Sequence, residues 1–396
     1  MKTYRSLQAI PIADSVAQTK TGKSHIPYAR QWIDEKDIEA VTDVLRSEWL
    51  TTGPRVQEFE KAFADFVGAK HAVAVSSGTS ALHTAMYALG VGPGDEVIVP
   101  PMTFVATANA VVFQGAVPVF SDVEESTLLL DPAVIEERIS PRTRAIVAVD
   151  YGGQPCDYDT LRDIAKKHGL SLLADACHSL GARYKGKKVG TLADLTVFSF
   201  HPVKHITTGE GGMITTNDSI LAERMRRFRN HGIDADHVTR AQQGTWYYEM
   251  TDLGYNYRIT DFQCALGLSQ LEKLPFFLKR RGEIAGLYDK AFRSSDEIKP
   301  LEKRKGIFNS YHLYVVRTVA RDKLFQRLRE QGIEVNVHYV PVHLHPFYKQ
   351  RFGTGKGLCP VAEEAYHHIL SLPMFPQLTD EQTNYVISSI EEAINE

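Results

Sequence analysis

The 396-residue sequence predicts an α/β protein, with a large domain built on a mostly parallel sheet and a smaller α+β domain at the C-terminus. Three observations lead there. Short, near-continuous runs of β-branched and apolar residues alternate with helical stretches between His71 and Asp175, and such runs are strands buried on both faces. After about residue 275 that alternation gives way to a different order of helices and strands. The composition, 43% hydrophobic and 23% charged, supplies core for both units. The expected division is a polar leader over 1–24, the large domain over 25–275 and the small domain over 276–396.

Each element has a local reason. Over Asp34–Trp49, Ile38, Val41, Val44 and Leu45 recur at helical spacing with acids in the first turn, and the WLTTGP loop ends the helix. A second helix covers Val56–Val67. HAVAV then reads as a strand, SSGTS as a small-residue turn into a helix, and EVIVP as the next strand. The alternation continues with a helix over Ala106–Phe113, a strand in GAVPVF, a helix over Ala133–Ile139, a strand in RAIVAV, a helix over Leu161–His168 and a strand in LSLLAD. Thr196–Phe200 and Gly212–Thr216 are short strands, followed by a helix from Ile220 and another over Thr260–Leu274. The small domain reads as a long helix through the 280s, a strand in HLYVVRTV, a helix in RDKLFQRLREQG, a strand in IEVNVHYV and a closing helix in TDEQTNYVISSIEEAINE. No internal repeat or low-complexity segment interrupts it.

Composition excludes several classes of function. The formal net charge is −3 and no long basic tract occurs, so neither a nucleic acid nor an anionic membrane is an expected partner. Four cysteines lie scattered without CxxC spacing, which indicates neither a zinc ribbon nor a disulfide framework and suits a reducing cytoplasm. The leader has only a short apolar patch, and no apolar run reaches the roughly 18 residues a membrane span needs. His338, His343 and His345, with His201 and His205 far off in sequence, lack a compact ligand spacing and an accompanying acid or cysteine. No metal site is expected. VHYVPVHLHP is read instead as lining a substrate cleft between the domains, with His343 offering a donor.

Ligands of open α/β sheets collect beyond the carboxyl ends of the strands. Three stretches fall there. VAVSSGTSAL ends a strand in Ser76, Ser77, Gly78 and Thr79 and passes into a helix, whose free amides and dipole favour a phosphate; alone, it is also an ordinary Ser/Thr cap. In LSLLADACHSLG, Asp175 follows buried aliphatics, where a carboxylate needs a cation or donor beside it; alone, it fits a structural ion pair. In FSFHPVKHITTGEGG, Ser199 and Lys204 follow the strand TVFSF; alone, Lys204 fits a solvated loop lysine. Together they are the parts of a pyridoxal 5'-phosphate site: a cradle for a dianion, an acid to keep the pyridine nitrogen protonated, and an amine to bond the aldehyde. GEGG lacks the GxGxxG order and is read as a tight turn beside the cofactor.

The stretches IPYARQWIDEKDI, LTTGPRVQEFE, SSGTSALHTA, PMTFVATANAV, DACHSLGA, FSFHPVKHITTGEGG and LGYNYRITDFQCALGLSQL resemble those of the DegT/DnrJ/EryC1 family of sugar-nucleotide aminotransferases, from about Ile26 to the C-terminus. The resemblance implies the type I PLP-transferase (aspartate aminotransferase-like) fold. It implies that Lys204 is the catalytic amine that bonds the cofactor and that Asp175 pairs with the pyridinium nitrogen. Gly78, Thr79, Ser80 and Ser199 would hold the phosphate, Phe104 would stack on the ring, and His178 would lie under it. Asn256 would reach the cofactor of a neighbouring subunit, which requires a homodimer. FSFHPVK, ITTGEGG and NVHYVPVHLHPFY look nearest to the branch that aminates C4 of a UDP-4-keto-6-deoxy-N-acetylhexosamine with L-glutamate on the way to pseudaminic acid. That branch would place Tyr28, Glu48, Trp49, Leu50 and Thr51 against the substrate. A bacillosamine-type or UDP-4-keto-pentose C4 aminotransferase is the alternative. The related sugar 3,4-dehydratases have His at the position of Lys204, and a PLP-fold regulator would need a DNA-binding appendage, for which the leader is too short and too weakly basic.

Overall fold

The computed structural model describes residues 25–234, 240 and 244–395; the expected leader lies outside them. Seven strands form the central sheet: β1 (His71–Val75), β2 (Glu96–Val99), β3 (Val117–Phe120), β4 (Thr143–Val149), β5 (Ser171–Asp175), β8 (Leu195–Ser199) and β9 (Gly212–Thr216). Two-residue strands β6 (Arg183–Tyr184) and β7 (Lys187–Lys188) form a small sheet of their own with β11 (Ile307–Phe308). The order in the main sheet is β1-β9-β8-β5-β4-β2-β3, with β8, β5, β4, β2 and β3 parallel and β9 antiparallel to both its neighbours. Because β9 runs against both, β1, β8 and β5 point the same way. Their carboxyl ends, Ser76, Ser199 and Asp175, therefore reach one rim of the sheet.

Helices α1 (Glu35–Arg46), α2 (Pro54–Val67), α3 (Gly78–Ala88), α4 (Ala106–Phe113), α5 (Tyr158–His168) and α6 (Ser219–Arg229) accompany this sheet. The edge strand β1 is closed off by side chains. Glu60 of α2 accepts a 2.9 Å bond from the Ala74 amide, Arg229 of α6 donates a 2.6 Å bond to the Ala74 carbonyl, and the two pair at 2.5 Å. At Ala74 the free edge, which would otherwise invite pairing with another chain, is thereby satisfied.

Helix α7 (Asp261–Phe292) is continuous for 32 residues, so the domain boundary expected at residue 275 falls inside it, at Pro275. Its second half joins β10 (Lys299–Pro300), β12 (Tyr314–Arg317), β13 (Ile369–Leu372), α8 (Arg321–Glu330) and α11 (Asp380–Asn395) around a second apolar cluster that includes Ile284, Tyr288, Leu324 and Ile390. Helices α9 (Pro346–Phe352) and α10 (Pro360–His368) were not anticipated. Among the described residues no helix is long and apolar enough to cross a membrane.

Three expectations are corrected. Ala133–Ile139 forms two 3-10 turns, Pro132–Val134 and Glu136–Arg138, rather than an α-helix; the eight residues between Pro132 and Pro141 give too short a span to repay nucleation. IEVNVHYV is not a strand. It touches its neighbours through single bridges, Ile26 to Ile333 and Asn336 to Ser371, and Asn336 Oδ1 captures the Val337 amide. The apolar face assigned to α1 is only partly used, since Ile38 and Leu45 are exposed while Asp37 is buried. Asp37 accepts from Ser269, Gln270 and Lys273 of α7 and so anchors α1 through charge.

Candidate active site

The rim where β1, β8 and β5 end holds the residues expected to bind a cofactor. Ser77 caps α3: its hydroxyl accepts from the Ser80 amide at 3.0 Å, and Ser80 Oγ accepts from the Ser77 amide at 2.9 Å. That leaves the amides of Gly78 and Thr79 without a partner among the described residues, at the positive end of the helix. Gly78 has to be glycine here, because a Cβ would lie 2.9 Å from Cβ of Ser199 and 3.5 Å from Sγ of Cys177. The close approach joins the α3 turn to the end of β8 and to the loop after β5.

Lys204 lies between β8 and β9 on a loop that closes on itself through Phe200 N to Gly211 O and Thr208 N to Phe200 O. A Cβ on Gly212 would sit 2.4 Å from the Ser77 carbonyl oxygen, so the glycine lets this loop return beside the phosphate turn. Burial lowers the pKa of the Lys204 amine from the ordinary lysine range, and Cys177 and Asp175 partly offset that. Nζ is 3.4 Å from Nε2 of His312.

Asp175 is buried at the end of β5. Its Oδ2 accepts from Thr107 Oγ1 at 2.7 Å and Oδ1 from the Cys177 amide at 3.2 Å. The structural ion pair that could explain such a carboxylate is not formed among the described residues, where the donors to it are a hydroxyl and a backbone amide. His178 is buried, and Nε2 meets Tyr339 Oη at 3.1 Å with the two rings nearly parallel. Tyr339 in turn packs 6.2 Å from Phe104, centroid to centroid. Burial pushes His178, His205 and His312 well below the ordinary imidazole value, so all three are neutral near pH 7.

Contacts thus bring Gly78, Asp175, His178, Ser199, Lys204 and Phe104 into one continuous group. Thr79 is exposed at its edge. Tyr28 approaches from the side through His338, at 5.7 Å between rings. The other expected residues stand differently. The Ser80 hydroxyl is buried and used up within the cap. Glu48, Trp49, Leu50 and Thr51 are exposed, on a loop tied to the start of α7 by Asp261 N to Leu50 O and a Thr51–Thr260 bridge. Asn256 is exposed and bridged to Asn230, while the next residue, Tyr257, accepts from the Ser76 amide at 2.9 Å.

His343 is a correction. It is wholly buried and bonded to Glu363 Oε1 at 2.9 Å, and Glu363 also accepts from the Gly357 and Cys359 amides. A histidine spent on a carboxylate in the packing between α9 and α10 is not open to a sugar. Sequence reasoning missed Thr107, His312 and Tyr339. Thr107 stood in plain view within PMTFVATANAV, but nothing in a helical stretch marks which hydroxyl faces a strand end. A cavity of about 1030 Å³ lies elsewhere; Thr51, Glu60, Arg226, Arg229 and Arg258 are in its wall and the Lys204 group is not.

The residues present fit pyridoxal 5'-phosphate. Two open helix amides with Ser199 suit its phosphate, a buried carboxylate lacking a cation suits a protonated ring nitrogen, and a desolvated amine suits its aldehyde.

Comparison with known proteins agrees. The model of the DegT/DnrJ/EryC1/StrS aminotransferase family matches residues 31–391. Spore coat polysaccharide biosynthesis protein SpsC of Bacillus subtilis is 43% identical over 378 residues, covering 93% of this chain and 97% of SpsC. Among solved structures, Helicobacter pylori PseC, an aminotransferase involved in the biosynthesis of pseudoaminic acid, superposes with a TM-score of 0.87 at 37% identity over 94% of this chain and 99% of PseC. The PLP-form of Spr1654 from Streptococcus pneumoniae does so with 0.88 at 33% identity over 94% and 99%. The chain belongs to the DegT/DnrJ/EryC1/StrS aminotransferase family.

Proposed function

As a member of that family, we propose, the chain is a pyridoxal 5'-phosphate-dependent aminotransferase that passes the amino group of L-glutamate to C4 of a UDP-4-keto-6-deoxy-N-acetylhexosamine. The products are 2-oxoglutarate and a UDP-4-amino-4,6-dideoxy sugar, the altrosamine of pseudaminic acid synthesis. The observation that carries the reaction type is Lys204 held desolvated at the same rim as Asp175, a buried carboxylate that forms no ion pair among the described residues. The similarity to PseC supports the sugar. The higher identity to SpsC favours a second reading, amination of another UDP-4-keto sugar destined for a polysaccharide.

When bound, the cofactor supplies an electron sink that acidifies the carbon–hydrogen bond next to the nitrogen. This chain's residues do the rest. The Gly78 and Thr79 amides and Ser199 hold the phosphate, Asp175 keeps the ring nitrogen protonated, and Phe104 and His178 confine the ring. Lys204, once its amine is free, carries the proton from the donor carbon and later delivers one to C4 of the sugar. Burial suits it for both, because a lysine of lowered pKa gives up its proton more readily than an ordinary one.

We further propose a homodimer in which Asn256 reaches the partner's cofactor. The run before it leaves Trp246 84%, Met250 65% and Leu253 68% exposed, and apolar side chains clustered in the open suit a protein–protein contact. The cytoplasm is the proposed compartment. The deciding experiment supplies glutamate with each candidate 4-keto sugar, hexosamine and pentose, to the purified protein and to Lys204→Ala and Lys204→Arg. Turnover of the hexosamine, and loss of both turnover and the yellow absorbance band in the variants, supports the reading; near-normal transamination by either variant sinks it.

A further inference from the structure

Lys204 has one close side-chain neighbour that neither the motifs nor the expected cofactor contacts account for. His312 precedes β12, and its Nε2 is 3.4 Å from Nζ of Lys204. The imidazole is buried, with the His178 ring 4.3 Å and the His205 ring 5.7 Å from its own. Its backbone is pinned from α7: the buried guanidinium of Arg281 donates to the carbonyls of Tyr311 at 3.0 Å, His312 at 3.4 Å and Met374 at 3.0 Å. Nδ1 has no partner.

That orphan nitrogen selects the tautomer. A buried N–H without an acceptor is among the rarest features of folded proteins, and a bare lone pair is the milder defect. The ring proton accordingly belongs on Nε2, aimed at Lys204. The groups facing His312 are Lys204 and His205 from the loop after β8, His178 from the loop after β5 and Arg281 from α7; with burial they all disfavour a second proton on it. Asp175 and Cys177 act on Lys204. A neutral imidazole donating from Nε2 stabilises an amine only in its unprotonated form, and holds that amine in place.

We propose that His312 is the positioning residue of Lys204, fixing the free amine by an Nε2–H to Nζ hydrogen bond and favouring its proton-accepting state. The proposal rests on Lys204 being the reacting amine.

His312→Leu and His312→Gln test it together. Leucine fills similar space and keeps water out but donates nothing; the glutamine amide returns an N–H donor. One readout is kcat and KM for glutamate. The other is independent of turnover: in cofactor-free full-length protein, formaldehyde and cyanoborohydride methylate Lys204 across a pH series, followed by the mass of the Lys204 peptide. Losing one hydrogen bond of ordinary strength should lower kcat about five- to tenfold in His312→Leu with KM little changed. The methylation midpoint should move up, since the neutral amine has lost the donor that favoured it. His312→Gln should recover both to within about twofold. If leucine preserves both readouts, or glutamine is no better than leucine, His312 is packing and the proposal fails. His312→Phe replaces His312→Leu if the latter does not fold. Absence of transamination in the unaltered protein would refute the proposed function instead, and the methylation series would still report on His312.

Discussion

Thr107 donates a 2.7 Å hydrogen bond to Oδ2 of Asp175, and Thr103 Oγ1 stands 2.7 Å behind Thr107 Oγ1. The segment entering α4 therefore orients the carboxylate at the end of β5. Thr107→Val keeps the shape and removes the donor, so it should weaken pyridoxal 5'-phosphate binding about ten- to a hundredfold, the value of one hydrogen bond to a charged group. Asp175→Ala should abolish turnover. Titration of the yellow band with cofactor checks both, and unchanged affinity in Thr107→Val would mean that the hydroxyl does not orient the carboxylate.

Gly212→Ala puts a methyl 2.4 Å from the Ser77 carbonyl oxygen and 3.0 Å from that of Phe198, both backbone atoms. Neither can step aside without moving the cap of α3. The variant should lose about 1–3 kcal/mol of stability and bind cofactor more weakly. Urea titration and cofactor titration measure the two effects, which should appear together.

Asp37 separates stability from chemistry. It is fully buried and receives Ser269, Gln270 and Lys273, whereas Lys273 retains Asp34 at 2.9 Å. Asp37→Ala should cost about 2–4 kcal/mol through the unpaired donors it leaves on α7. The kcat of the protein that remains folded should be unchanged; a large drop in kcat at full folding would show that α1 reaches the site.

Buried histidines make the fold acid-sensitive. Burial holds His83 and His338 down to about 4 and His178, His205 and His312 well below 6.5. The unfolded chain binds more protons than the folded one between those values, so this stability is present above pH 6.5 and is lost as pH falls towards 4. Asp150 acts oppositely: burial raises it to about 7, so its contribution is complete below its ordinary value of 3.8 and is lost as pH rises towards 7. Five imidazoles outweigh one carboxyl, and the urea midpoint should fall between pH 7.5 and pH 5. A midpoint that does not move over that interval would contradict the neutral buried rings.

Met250→Glu with Leu253→Glu places charges on the exposed run proposed as the dimer surface. Sedimentation should show the unaltered protein as a dimer and the variant as a monomer with little activity, because Asn256 then reaches no partner. A variant that stays dimeric would move the interface elsewhere.

Much of this was legible in the chain. The sheet is written in strands such as HAVAV, EVIVP and LSLLAD, whose continuous apolar character admits burial on both faces, and the observed spans agree to within a few residues. Asp175, Ser199 and Lys204 could be singled out because a polar residue directly after such a run must lie at a strand end. Regular elements obey local rules, so local patterns report them. The segments that failed, Ala133–Ile139 and IEVNVHYV, are those where a short span or a competing side chain outweighed the pattern.

The tertiary structure decided what those residues touch. Nothing in the sequence near His312 or Thr107 says that one faces Lys204 and the other Asp175, since each pair is separated by 108 or 68 residues and meets only when the sheet is assembled. The same assembly withdrew His343 into a bond with Glu363 and gave the carboxylate of Asp175 a hydroxyl and a backbone amide as donors, with no ion pair among the described residues. Residue type and periodicity determine which groups the chain can present at the rim of its sheet; desolvation and hydrogen-bond partners, which arise from distant segments packing together, determine which of them are poised to react.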